Sequence, residues 1–398
     1  YGIYELLKTH RGDYVSAGSV PSGVYPLNNN LNNVGVVPTS IPNEDLKWET
    51  TEQWNVGLDL SFFNDRIGLT IDWYNKVTHD LLLMSSLPLS SGFTSAMKNI
   101  GKIRNRGIEF TLNTTNIKTK SFEWTSNFNI AFNKNKVLAL AENQTALLSS
   151  ALFDQNYNSQ TSYIAKKGYS MGMMYGYLYD GTYKYEDFDK SGNSYTLKRD
   201  VPHFASEANT QPGMPKYKDL NGDGIINDND RTMIGNGLPI HTGGFTNNFA
   251  YKNFDLNIFL QWSYGNDVLN ANRLMFESGF NRARDLNQFA SYANRWTVDN
   301  PTSDIPRATN SSSNKVFSSR IIEDGSFLRL KTLTLGYSLP KTLLLKWRLE
   351  RVRLYMAAQN LFTITGYSGY DPEVSIREGA LTPGLDFSAY PRARMFSF

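Results

Sequence analysis

Cysteine is absent from the 398 residues, which excludes disulfide frameworks, thiolate zinc sites and cysteine nucleophiles and is compatible with any redox compartment. Histidine is scarce: His10, His79, His203 and His241 stand far apart, without the spacing of a histidine metal cluster. Charge of one sign is not in excess, since 40 Lys and Arg against 37 Asp and Glu leave a formal net charge of +3. That balance exerts no general pull on nucleic acid or anionic membrane, and nucleic acid is not expected as a partner. Long apolar runs are missing as well. The longest patches, such as Leu81 to Met84, fall far short of the ~20 residues a spanning helix needs. Tyr1 opens inside ordinary sequence without a charged and apolar leader, so further chain upstream is expected.

Aromatic residues are abundant instead. The 23 Phe, 23 Tyr and 7 Trp make 13% of the chain, yet the mean hydropathy is only -0.42, because apolar residues are interleaved with polar ones. In WNVGLDLSFF, Trp54, Val56, Leu58, Leu60 and Phe62 share one face of a strand. Past Asn64 and Asp65, Ile67, Leu69, Ile71 and Trp73 return on a second strand, which predicts a tight hairpin. Ile108, Phe110 and Leu112, then Phe122, Trp124, Phe128, Ile130 and Phe132, predict another. Phe245, Phe249 and Tyr251 turn through Lys252 and Asn253 into Phe254, Leu256, Ile258, Leu260 and Trp262. SFLRLKTLTLGYSLP and RVRLYMAAQNLF should pair across Pro340 to Glu350. These stretches run about ten residues, the length a tilted strand needs to cross hydrocarbon, and about ten such strands are expected.

Polar segments near 11 to 50, 135 to 168, 184 to 235 and 266 to 322 separate the hairpins. Short turns thus alternate with very long connections, as in transmembrane barrels with short periplasmic turns and long extracellular loops. A soluble sandwich or propeller fits less well, because strands there average nearer five or six residues and no fixed-period repeat is visible. The apolar rows should then face lipid, with Asn127 and Asn129 turned to the lumen.

One segment departs from alternation. DLNGDGIINDND places Asp219, Asn221 and Asp223 at positions 1, 3 and 5 of a twelve-residue calcium loop. Gly224 takes the sharp-turn position 6, the Ile225 carbonyl position 7, Asn227 position 9 and Asp230 position 12. The twelfth residue is Asp rather than Glu, and a solvated Asn/Asp/Gly turn is the competing reading. A structural calcium ion is expected here, ordering a polar excursion that has little apolar surface to pack.

Catalysis finds no support. GGFTNNF lacks a nucleophile elbow, and paired carboxylates such as Asp187 and Asp189 read as a solvated charge cluster. The segment holding Tyr175, Tyr177, Tyr179, Tyr183 and Tyr185 offers ring faces to a substrate, but its periodicity favours a barrel strand reaching an aromatic girdle.

Five blocks, taken together, carry a resemblance: NEDLKWETTEQWNVGLDLSFFNDRIGLTIDWYNK, NIGKIRNRGIEFTL, DLNGDGIINDNDRTMIGNG, SFLRLKTLTLGYSLP and RLYMAAQNLFTITGYSGYDPE. In order and over nearly the whole chain they resemble the SusC/RagA family of TonB-dependent outer-membrane transporters of Bacteroidota. The resemblance implies an all-β fold, a transmembrane antiparallel β-barrel of about 22 strands closed around an N-terminal plug. Residues 1–398 would be the C-terminal part of that barrel, with the plug and the TonB-contacting segment outside this chain. Relatives usually run another half strand past the position of Phe398. The implied role is active import of glycans or peptides across the cell outer membrane, with TonB supplying energy and a SusD-like surface lipoprotein as lid. Outer-membrane lipid would surround the barrel, and no bond would be broken by it. A passive porin is the alternative, sharing the strand pattern but lacking a plug.

Overall fold

In the computed structural model the described residues are 43 and 45–398, apart from 87–88, 94, 141–143, 152, 155–156, 158–159, 205–206, 280–285, 310–314, 347 and 378. The polar connection expected at 11 to 50 lies largely outside them. Nine strands form one antiparallel sheet in the order in which the chain makes them. They are β1 (Thr50–Phe62), β2 (Ile67–His79), β3 (Lys102–Lys118), β4 (Phe122–Ala139), β5 (His241–Tyr251), β6 (Phe254–Tyr264), β7 (Phe327–Ser338), β8 (Arg353–Thr365) and the short β9 (Met395–Ser397). Each expected hairpin is present. β3 and β4, at 17 and 18 residues, outrun the 9–11 that hydrocarbon requires.

Register carries the alternation across the whole sheet. Leu60, Leu69, Leu112, Phe128, Phe245, Leu260, Leu330 and Phe362 stand opposite one another strand by strand. The adjacent row on that face runs Leu58, Ile71, Phe110, Ile130, Gly243, Trp262, Leu328 and Ile364. Between them, on the opposite face, lie Asp59, Thr70, Thr111, Asn129, Gly244, Gln261, Arg329 and Thr363. A soluble sheet buries its apolar side; here Leu58 is 52% and Ile364 61% exposed, so the apolar face is the outside of the wall. Cross-strand rings tile it, with Phe128 and Trp262 stacked at 5.5 Å and Trp124 and Phe249 also at 5.5 Å. Some polar side chains that reach the outer face satisfy each other. Asn247 Oδ1 accepts from Trp124 Nε1 at 3.0 Å and from Ser126 Oγ at 2.8 Å, and Asn116 Nδ2 donates to Ser126 Oγ at 2.7 Å.

Connections are short at one end of the sheet, at 63–66, 119–121, 252–253 and 339–352. Phe63, Asn64, Asp65 and Lys252 take the positive φ that such tight reversals need. At the other end lie the long connections 80–101, 140–240, 265–326 and 366–394. Their interior corrects the expectation of polar excursions with little to pack. Tyr157, Tyr163, Met174, Leu269, Phe317 and Leu385, drawn from three of these connections, share one buried cluster. Small sheets reinforce it, including one of four strands, and the long connections are in large part a folded body.

Leu58→Arg in the complete barrel should lower stability by ~2–4 kcal/mol in unfolding from lipid, whereas Thr111→Arg on the polar face should cost far less. Equal losses would contradict the assignment of faces.

Candidate functional site

The site begins on the polar face of β7. Arg329 sits between Gln261 and Thr363, and a bulge at Leu330–Thr332 leaves Lys331 opposite no residue of β6 or β8. Both cations turn toward the connection that follows β8. Arg329, only 2% exposed, donates from Nη2 to Asp371 at 2.5 Å, from Nη1 to Glu373 at 3.0 Å and from Nε to Thr363 Oγ1 at 3.0 Å. Lys331 Nζ lies 3.7 Å from Glu373, and Arg392 Nη2 lies 2.9 Å from the same carboxylate. Burial works against the charge on Asp371, but the Glu373 N–H and the Arg329 guanidinium outweigh it and hold the carboxyl below its ordinary range. Both ends of the 366–394 connection are therefore latched to the inner wall.

Immediately beside this latch is an open cavity of about 580 Å³. Tyr370, next to Asp371, and Tyr390, two residues before Arg392, line it and are 85% and 92% exposed. Phe276 and Phe289, whose rings meet at 5.6 Å, line it as well. Asn270, Asn272, Ser368 and Ser388 supply polar edges. These are held in place: Asn270 Nδ2 donates to Glu323 at 3.0 Å, Asn272 Oδ1 accepts the Ser388 N–H at 2.7 Å, and Ser368 donates to Glu323 at 2.9 Å. Behind them Glu277, buried, takes Arg273 at 2.9 Å and Arg320 at 2.6 Å. Rings and neutral amides on a rigid backing suit an uncharged polar ligand with flat apolar faces.

The tyrosine segment favoured as structural is so, for a different reason. Residues Met173–Tyr177 and Tyr179–Thr182 are strands of small sheets in the folded body, not of the nine-stranded wall. Tyr177 and Tyr183 are buried, and Tyr183 donates to the Pro202 carbonyl at 2.7 Å. Burial, reinforced by the nearby Asp228 carboxylate, pushes the Tyr177 hydroxyl up to about 12. Tyr370 and Tyr390 were not singled out from sequence; both stand beside turn residues, in GYDP and AYPR, outside any alternation.

The Asp219 to Asp230 segment folds as a closed turn. Asp219 accepts the N–H groups of Gly222 and Gly224 at 2.6 and 2.7 Å, and backbone bonding, that of Gly224 foremost, holds its carboxyl below the ordinary range. Gly224 has φ +82°, the sharp turn expected at that position. Asp223 accepts the Ile225 N–H, and Asn227 Nδ2 donates to the Ile225 carbonyl at 3.2 Å. Asp230 is buried and folds back to the Leu220 N–H at 2.8 Å, which returns the twelfth position to the first turn. Among the described residues no three His, Cys, Asp or Glu side chains gather as a metal-holding group.

Arg329→Met should cost the 366–394 connection ~3–5 kcal/mol of local stability, since it strands two carboxylates beside the wall. Hydrogen exchange across 366–394 reads this; unchanged protection there would show that the latch is incidental.

Comparison with known proteins places these features. Residues 10–361 match the family described as TonB dependent receptor-like, beta-barrel. The chain is 38% identical over 381 residues to TonB-dependent receptor P3 of Formosa agariphila, covering 94% of this chain and 36% of that protein. It is 29% identical over 364 residues to TonB-dependent receptor SusC of Bacteroides thetaiotaomicron, covering 89% and 32%. The RagAB peptide importer in its open-open state superposes with a TM-score of 0.71 at 25% identity, over 97% of this chain and 37% of that one. The chain thus spans about a third of the length of these curated relatives. With a sheet that meanders strand by strand, an exposed apolar outside and a polar inside, the chain belongs to the TonB-dependent receptor β-barrel family.

Proposed function

We propose that this chain is the C-terminal wall of an outer-membrane importer that takes up oligosaccharides or peptides with energy delivered through TonB. The observation that carries this reading is the cavity of Phe276, Phe289, Tyr370 and Tyr390, rigidly backed and fixed to the polar wall through Arg329. Sugar rings and peptide planes both stack on such rings and hydrogen-bond to amides and hydroxyls. Likeness to a protein described as a peptide importer favours the peptide class among these. The folded body of long connections offers a firm platform for a SusD-like surface lipoprotein acting as lid. TonB would act through a plug contributed by the remainder of the protein.

Uptake of labelled oligosaccharides and of labelled peptides by cells carrying the complete transporter tests this. Replacing both Tyr370 and Tyr390 by Ala should weaken uptake of the substrate about 10-fold, two ring contacts being removed. Unchanged uptake would remove this cavity from the path. Uptake that survives deletion of TonB would instead indicate a passive porin.

The turn of Asp219, Asn221, Asp223, Ile225, Asn227 and Asp230 is proposed to hold one structural calcium ion. What favours it is the return of Asp230 to the start of the turn together with oxygens at the calcium-loop spacing. Each N–H bond leaves a carboxylate oxygen a further lone pair for a cation. Chelation should then expose residues 219–230 to protease in the wild type and change nothing in an Asp219→Ala, Asp223→Ala variant. Indifference of the wild type to chelator would leave the segment a hydrogen-bonded turn.

A further inference from the structure

On the polar face of this wall Arg329, Lys331 and Arg353 find carboxylates; four cations on the apolar face do not. Arg106 lies directly opposite Lys134, and Arg104 directly opposite Lys136, across the β3–β4 ladder. Arg106 is two residues from Ile108 and Lys134 two from Phe132, so all four cations share the face of the apolar rows. Like charges placed directly opposite repel, and here two such pairs are stacked at the long-connection end. No carboxylate pairs with any of them among the described residues. Glu52 on β1 stands in the same row on that face, two strands away from Arg104, and faces His79 at 3.7 Å. Arg104 Nε is buried without a hydrogen-bond partner.

Directly beneath the cations the wall is apolar. Asn75, Arg106 and Lys134 form one row, and the next row inward is Trp73, Ile108 and Phe132. Above Phe132 the ladder between β4 and β5 ends, because β5 begins at His241 opposite Phe132. The gap is a cavity of about 720 Å³ whose lining combines the apolar Trp73, Ile108, Phe132 and Ile240, the cations Arg106 and Lys134, and neutral polar residues of the adjoining connections and of β4. An apolar floor under a cationic rim, at the outer margin of the membrane-facing band, matches one chemistry: a phosphate with hydrocarbon attached. Arg presents a planar fork to phosphate and Lys a point charge.

The geometry points to a binding site for the phosphorylated headgroup of an outer-leaflet lipid, held at the cavity by Arg106 and Lys134, with the pair Arg104 and Lys136 beyond them on the same face and an acyl chain along Trp73, Ile108 and Phe132. The bound phosphate would relieve the two opposed cation pairs, so the lipid would act as a structural component of the wall. This rests on the outward face meeting lipid. That premise fails separately, if the complete protein is extracted from membranes by carbonate.

The complete transporter in detergent can be titrated with dihexanoyl phosphatidic acid, dihexanoyl phosphatidylcholine and inorganic phosphate, with binding followed by calorimetry and native mass spectrometry. Phosphatidic acid should bind saturably, the zwitterionic lipid much more weakly, and free phosphate more weakly than phosphatidic acid for want of the apolar leg. Arg106→Gln with Lys134→Gln should weaken phosphatidic acid about 30-fold, the combined effect of two cations at a membrane surface. Lys76→Gln, on the polar face of β2, should leave it unchanged, and gel migration of unheated samples verifies that each variant is a folded barrel. Undiminished binding to the Arg106→Gln, Lys134→Gln variant, or equal binding of the two lipids, would overturn the site. Free phosphate binding as tightly as phosphatidic acid would make it an anion site and overturn the lipid assignment.

Discussion

Every strand of this wall depends on the pairing register of an antiparallel ladder. Because side chains alternate with a period of two, a slip of one residue between any two neighbours would carry an entire row to the wrong face. From Leu60 to Phe362 the row stays apolar through eight strands, and the row beside it holds Asp59, Asn129, Gln261 and Arg329 on the other side. An outer face that meets hydrocarbon has no water to forgive a misplaced Asn or Asp. Three of the exceptions obey the same constraint: Asn247, Ser126 and Asn116 reach the outer face as a hydrogen-bonded set.

A wall so constrained leaves little room for variation, and the chain's irregularity is pushed to one end. There the long connections solve a different problem, since backbone that leaves the ladder must find other partners. The solution is a second core. Tyrosine suits it, because a ring can be buried while its hydroxyl reaches a carbonyl, as Tyr163 does at Pro383 and Tyr183 at Pro202. Arg329 and Lys331 then join the two parts, the bulge in β7 turning a wall residue toward the connection that carries Tyr370 and Tyr390.

The hairpins, the two faces and the alternation of short and long connections were legible in the sequence because each is a local pattern with a single period. The packing of 140–240, 265–326 and 366–394 into one body was not. Its apolar residues, such as Tyr157, Met174, Phe317 and Leu385, come from distant segments with no shared periodicity, so polar composition hid them. The same blindness put Tyr175 to Tyr185 on a wall strand. Nothing local distinguishes Arg329 from any other strand cation; only folding brings Asp371 and Glu373 to it. The Asp219 to Asp230 turn lies between these cases: its spacing and the bend at Gly224 were readable, while the return of Asp230 to Leu220 is a matter of three dimensions.

The two faces also impose opposite demands on the same side-chain chemistry. On the inside, a buried guanidinium is acceptable because the chain itself brings two carboxylates, a threonine hydroxyl and two further basic residues into one network around Arg329. On the outside, Arg104, Arg106, Lys134 and Lys136 are aligned by the same kind of register, yet no connection returns to neutralise them among the described residues. A connection could not readily do so, since a segment crossing the outer face would carry its own backbone into the lipid band. Where the chain cannot supply the counter-charge, the surroundings must, and the apolar row directly below the four cations selects an anion that carries hydrocarbon with it.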